Sequence, residues 1–170
     1  AMNRQQLLDR FRAGGFIRAV PDEAEFKARW LTIPASSNAF TAALHGGLIA
    51  DRLSWVFLAA YQSAVKACFS HMPDQQWLSF AVSEDRSGSF SGTRLEDGNL
   101  TGSKSWIAGV NQVDYLLVTL GPNLDQGCVI IDCSRPEVTL GARPDPGFLA
   151  DMSQGHATFE DRKSTRLNSS

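Results

Sequence analysis

Hydrophobic positions recur every three to four residues as far as about Phe69, and every second residue or in short solid runs beyond it. The pattern therefore divides the chain into a helical part and a strand part. Asn3 to Ala13 carries Leu7, Leu8 and Phe11 at helical spacing and ends at Gly14-Gly15, which predicts a short amphipathic helix with a glycine stop. Pro21-Asp22-Glu23-Ala24-Glu25 places acidic residues where a helix dipole favours them. It opens a second helix that carries Phe26, Trp30 and Leu31 and ends at Pro34. After a Ser36-Ser37-Asn38 cap, Phe40 to His45 predicts a third helical piece, broken at Gly46-Gly47. From Leu48 to about Phe69, the residues Ile49, Leu53, Val56, Phe57, Ala60, Ala64 and Cys68 form one apolar stripe. Trp55, Leu58, Ala59 and Tyr61 widen it, so this helix is expected to be buried on most sides.

The composition changes around Pro73, and a domain boundary is placed near Asp74. Trp77 to Ser83 is strand-like. Thr93 to Thr101 predicts a hairpin turning at Asp97-Gly98, a pair that tolerates the positive φ angles of a two-residue turn. Val113 to Leu120, Cys128 to Cys133, Val138 to Ala142 and Gly155 to Phe159 continue as strands, punctuated by Gly121-Pro122-Asn123 and Pro144-Asp145-Pro146-Gly147. The expected fold class is α+β: a helical domain over 1–73, then an antiparallel, barrel-like β-domain over 74–160, left incomplete. Asp161 to Ser170 reads as one frame of a sequencing adapter and is expected to be foreign. The Ala before Met2 suggests an arbitrary start.

With 170 residues, 43% of them hydrophobic and 20% charged, the chain has enough apolar material for one substantial core or two small ones. A net charge of −2 gives no basic field for nucleic acid or an anionic membrane. The longest apolar run, Trp55 to Tyr61, is far short of the roughly 20 residues that span a bilayer, and the polar start is unlike a signal peptide. The expected location is cytoplasmic. Three sparse cysteines, Cys68, Cys128 and Cys133, do not make a disulfide framework, and His45, His71 and His156 lack ligand spacing, so no metal site is expected.

The chemistry concentrates in two segments, Ala81-Val82-Ser83-Glu84 with Gly88-Ser89, and Gly102-Ser103-Lys104-Ser105-Trp106-Ile107-Ala108. A flavin ring needs a flat apolar wall, hydroxyl or main-chain groups along its polar edge, and glycine where the main chain approaches closely. Trp106, Ser83 and Gly88 are residues of those kinds. The plainer alternative is a core aromatic at Trp106 and an ordinary turn at Ser87-Gly88-Ser89. Lys104 is expected to pair with a nearby carboxylate while sharing a face with Trp106, Glu84 to hold its loop, and Asp51-Arg52 to form an ion pair.

In order and residue type these segments resemble the flavin-holding segments of acyl-CoA dehydrogenases, in which a strand ends in Thr-Glu-Pro, a Gly-Ser-Asp turn follows, and a hairpin leads into Gly-x-Lys-x-Trp-Ile-Thr. The resemblance covers roughly Phe40 to Glu160, with Ser83 in place of the Thr, Asp85 of Pro, Phe90 of Asp, and Ala108 of the Thr or Ser beside the flavin. It implies FAD as cofactor, with Phe80, Val82 and Ser83 lining it from one strand, Trp106, Ile107 and Ala108 from the other, and Gly88 and Ser89 between flavin and substrate. Ser89 would also contact the substrate, an acyl-CoA thioester. The implied reaction is α,β-dehydrogenation with hydride transfer to flavin N5, in a parent that forms homo-oligomers and passes electrons to an acceptor. The catalytic base would lie in a C-terminal helical bundle that this fragment lacks, leaving the fragment itself inactive. Ala108, offering only main-chain groups, keeps a flavin monooxygenase of the same fold as an alternative, and a non-enzymatic helical plus β binding module is a third reading.

Overall fold

The computed structural model describes residues 4–13, 18–69, 76–84, 92–121, 126–145 and 147–160. Four helices come first: α1 (Arg4–Arg12), α2 (Glu23–Trp30), α3 (Ala39–Ile49) and α4 (Leu53–Cys68). Seven strands follow: β1 (Leu78–Ala81), β2 (Arg94–Glu96), β3 (Asn99–Ala108), β4 (Tyr115–Thr119), β5 (Cys128–Asp132), β6 (Val138–Ala142) and β7 (Gln154–Phe159). The proposed boundary at Asp74, the glycine stop after α1 and the Asp161–Ser170 tail lie outside the described residues.

Local chemistry sets the helix starts. Asp22 Oδ1 accepts from Glu25 N at 2.8 Å and Asn38 Oδ1 from Thr41 N at 2.8 Å, each satisfying an amide that has no partner within its helix. The predicted break at Gly46-Gly47 does not occur, because α3 runs through both glycines. A Cβ on Gly46 would lie 2.4 Å from Ala59 Cβ, so the missing side chain is what lets α3 and α4 approach closely. The chain breaks instead at Ala50–Arg52, where Arg52 binds Asp51, Asp151 and the Val20 carbonyl and lies over the Trp55 ring.

Helix α4 buries a different face from the one its pattern suggests. Ser54, Trp55, Leu58, Ala59, Gln62, Ser63 and Val65 face inward, whereas Leu53, Val56 and Phe57 are exposed. Phe26 stacks on Trp55 with centroids 5.4 Å apart and meets Trp77 edge-on. Together with Trp30, Leu58, Ala108 and Met152 they form a core shared by helices and strands.

The strands make two sheets, ordered β1-β4-β5 and β2-β3-β7-β6. All neighbours are antiparallel except β1 and β4, which pair in parallel from Leu78↔Tyr115 to Ala81↔Val118. The chain leaves the first sheet after β1, makes the β2–β3 hairpin in the second, and returns as β4. The sheets face each other across a core containing Leu116, Val118, Ile107, Ala157 and Phe159, and among the described residues no strand closes them into a barrel. The other face of the first sheet packs Leu78 and Leu117 against Val65 of α4, which is why β4 is a solid apolar run. The free edge of β1 is covered by α4. Gln62 exchanges hydrogen bonds with Leu78 main chain (2.7 and 2.9 Å), and the Tyr61 hydroxyl accepts from Phe80 N at 2.6 Å.

Candidate functional site

The predicted hairpin forms with its turn at Asp97 (φ 50°) and Gly98 (φ 81°), and it launches β3 along β7. The register of β3 against β7 then slips between Ser105 and Ile107. Trp106 is the extra residue of this bulge and has φ 62°, in the left-handed region that a bulky residue seldom adopts. The bulge overturns the expectation that Lys104 and Trp106 share a face. Lys104 is fully buried, whereas Trp106 is 58% exposed. Leaving that much indole in water forgoes about 2–3 kcal/mol of burial. Backbone strain and forgone burial coincide at one residue, which marks it as a functional candidate.

Ser83 is brought to the same place. Ser105 N donates to Ser83 O at 2.6 Å, and three residues along the Ser79 hydroxyl donates to the Ala108 carbonyl, so 79–83 and 105–108 run side by side across the junction of the two sheets. The exposed Ser83 therefore stands next to the bulge that carries the indole. Under them Lys104 Nζ donates to Gly121 O (2.9 Å), Val82 O (3.1 Å) and Glu84 Oε1 (3.3 Å). Glu84 also accepts from Thr93 N at 3.2 Å, and Thr93 Oγ1 donates to Thr119 O at 2.8 Å. The main chain at 82 and at 121 is thereby clamped to one buried ammonium, which also holds the Glu84 side chain and, through it, Thr93 N. Burial holds the Lys104 pKa below its ordinary value, against the pull of Glu84.

The other predicted residues divide by accessibility. Phe80 is half-buried and its ring packs on Phe69, with centroids 5.9 Å apart. Val82 is half-buried and contributes its carbonyl to Lys104. The Ile107 side chain is completely enclosed in the core between the sheets, and Ala108 is buried in the core shared with the helices, so neither side chain faces a ligand and each could contribute main-chain groups only. Gly88 and Ser89 lie outside the described residues.

Two features near the bulge carry no signal in the sequence. The Arg143 guanidinium lies over the Trp106 ring, 4.0 Å from its centroid, while Arg143 N donates to Gln154 O at 2.7 Å. It borders an open hollow of about 370 Å³ between the helices and the β6–β7 connection, whose walls include Glu23, Arg52, Trp55 and Asp151. Glu23 is buried, and desolvation raises its pKa despite hydrogen bonds from Ser153 Oγ (2.6 Å) and Ser153 N (3.3 Å). Arg143 follows a strand and precedes a proline turn, and Glu23 reads as an ordinary first-turn acid, so only the fold reveals either contact.

Among the described residues no group of His, Cys, Asp and Glu side chains could hold a metal, and no helix is long and apolar enough to cross a membrane. The three cysteines are free. Cys128 is exposed, whereas Cys133 packs against the core between the sheets and its thiol is pushed up to about 12 by burial.

No protein-family model matches the chain, and no curated protein matches it. Solved structures do. Butyryl-CoA dehydrogenase from Megasphaera elsdenii is similar over 95% of this chain and 57% of its own, at a TM-score of 0.65 and 14% identity. The prolyl acyl carrier protein oxidase AnaB is similar over 94% and 57% (TM-score 0.60, 14% identity), and an FAD-dependent dehydrogenase over 94% and 55% (TM-score 0.59, 15% identity). The fold is thus the α+β arrangement found in acyl-CoA dehydrogenases, and the chain spans slightly more than half the length of these proteins.

Proposed function

We propose that the chain is the helical and β part of an FAD-dependent, acyl-CoA dehydrogenase-like oxidoreductase, and that Trp106 and Ser83 form one wall of its flavin site. The observation that carries the reading is the bulge at Trp106, which holds a largely exposed indole, with Arg143 over one face, beside Ser83 at the cost of a positive φ. Its support in fold is the set of FAD-dependent neighbours.

The donor set fits a flavin in part. The indole is a flat, 58% exposed apolar surface with the Arg143 guanidinium over one face, 4.0 Å from the ring centroid, and the exposed Ser83 stands next to it. Bound there, FAD would supply the hydride acceptor. The chain's own residues do the rest: Trp106 packs the ring, Ser83 and the main chain of 105–108 meet its polar edge, and the Lys104–Glu84–Thr93 clamp holds the segments that carry them. Phe80 on β1 and Val82 just after it are proposed to support that wall, and Gly88 and Ser89 to sit between flavin and substrate. Glu84 is engaged by Lys104 and Thr93 and Glu23 by Ser153, and we assign the proton-abstracting base to neither.

The base is therefore proposed to come from a longer parent, which would act as a cytoplasmic homo-oligomer on an acyl thioester in fatty acid metabolism, by α,β-dehydrogenation, and pass electrons to a separate acceptor. We place the helical domain at 1–73 and the β-domain at 74–160. Ala108 favours one second reading, a flavin monooxygenase of the same fold, because no hydroxyl stands at that position. The test is colour. A parent protein containing this chain should purify with flavin absorbance or gain it on adding FAD, and Trp106→Ala should weaken FAD retention. A colourless parent that takes up no FAD would move the chain to the class of helical plus β binding modules.

A further inference from the structure

Arg143 follows β6, and β7 lies between β6 and β3, so its side chain crosses one strand to bring the guanidinium over the Trp106 ring, 4.0 Å from the centroid. The start of that reach is fixed. Arg143 N donates to Gln154 O at 2.7 Å, and Pro144 disfavours helical backbone at the residue before it. The far end is not held by a carboxylate, since among the described residues no ion pair involves Arg143. The indole is its partner, as a cation over an aromatic face is attracted by the ring quadrupole. Trp106 in turn stands on a bulge and is 58% exposed, with little around it to fix the ring. One indole face lies under Arg143, so the exposed surface belongs mainly to the opposite face and the ring edge.

We propose that Arg143 is a positioning residue of the ring-binding wall: it caps one face of the Trp106 indole, holds the orientation of that ring, and leaves the opposite face as the one on which a flavin stacks. The inference rests on the flavin reading given above. A guanidinium in that place has one other role, a plug that a ligand must displace, and the two differ in sign. Removing a cap frees the indole to turn and weakens stacking, whereas removing a plug opens a second face and strengthens it. The cap is favoured because an open face exists with Arg143 in place.

The test compares wild type with Arg143→Ala and Arg143→Lys, titrating each with FAD and with riboflavin, which carries the same ring without phosphate. Without ligand, Arg143→Ala should loosen the Trp106 indole on the picosecond to nanosecond scale read by NMR relaxation, while Trp30, Trp55 and Trp77 keep their values. With ligand, Arg143→Ala should weaken FAD and riboflavin alike by about two- to fivefold, the scale of one exposed cation–π contact, and Arg143→Lys should recover part of that loss. Tighter binding by Arg143→Ala would overturn the cap in favour of the plug. Weakening of FAD alone would make Arg143 a phosphate contact and overturn it too, as would unchanged relaxation of the Trp106 indole. Wild type that binds neither flavin would overturn the flavin reading, and the stacking role of Arg143 with it, while the unliganded relaxation still decides whether Arg143 orients the indole.

Discussion

Lys104→Met replaces a fully buried ammonium by an apolar chain of similar length and removes the donor from three acceptors at once, Gly121 O, Val82 O and Glu84 Oε1. Each buried acceptor left without a donor costs about 1–3 kcal/mol, and breaking a buried ion pair costs about 3–5 kcal/mol. The Glu84 side chain is 22% exposed, so water relieves part of its loss and the lower end applies, about 3 kcal/mol. For a chain of this length that lowers the melting temperature by roughly 6–12 °C. Urea unfolding followed by tryptophan fluorescence should show the midpoint falling with the slope unchanged. Glu84→Gln should cost less in the Lys104→Met background than alone, because the two groups share one interaction. The pH dependence has a definite sign. Because burial lowers the folded-state pKa of Lys104 below the unfolded value near 10.5, the unfolded chain holds more protons between the two values, and wild-type stability rises with pH through that window. Lys104→Met should lack this rise. A loss under about 1 kcal/mol, or an unaltered pH profile, would refute the account of Lys104 as the pin between 82–84 and the return of the chain at Gly121.

Three further outcomes follow from packing and burial. Gly46→Ala should destabilise by about 1–3 kcal/mol, despite the better helix former, because its Cβ meets Ala59 Cβ at 2.4 Å, whereas Gly47→Ala, with open space around it, should stabilise by about 0.5–1 kcal/mol; thermal melts of the pair check both. Desolvation raises the folded-state pKa of Glu23, so its contribution to stability is greatest below the unfolded value of 4.5 and declines as pH rises through the folded value. The stability of Glu23→Gln relative to wild type should therefore climb from pH 4.5 upward in unfolding curves taken across pH. With a thiol-specific reagent at neutral pH, Cys68 and Cys128 should react readily and Cys133 only on unfolding, as mass spectrometry of the labelled chain would show.

Features that depend on a few adjacent residues were legible in the sequence. The Asp97-Gly98 turn, the Asn38 cap, the acidic start of α2 and the alternation of helix and strand periods each follow from local chemistry. The buried face of α4 was not, because both of its faces carry apolar residues. Which one turns inward depends on Trp77 and Leu117, far along the chain, and on Gln62, a polar residue buried because it completes the edge of β1. Gly46 reads as a breaker in isolation and acts as a contact once Ala59 is opposite it. The site divides the same way. The identity of Trp106 as a ring-binding candidate is visible in its motif, but the bulge that turns it away from Lys104 comes from pairing with β7 about 50 residues later, and so does the enclosure of Ile107.

The most direct test of the flavin-wall assignment is an NMR titration of the chain with FAD, observing the indole N–H signals of Trp30, Trp55, Trp77 and Trp106. The account predicts that the Trp106 indole and the amides of Ser83 and Ser105 move together, while the three buried indoles stay in place and Trp106→Phe weakens the effect. Shifts centred elsewhere, with the Trp106 indole unmoved at saturating FAD, would contradict it.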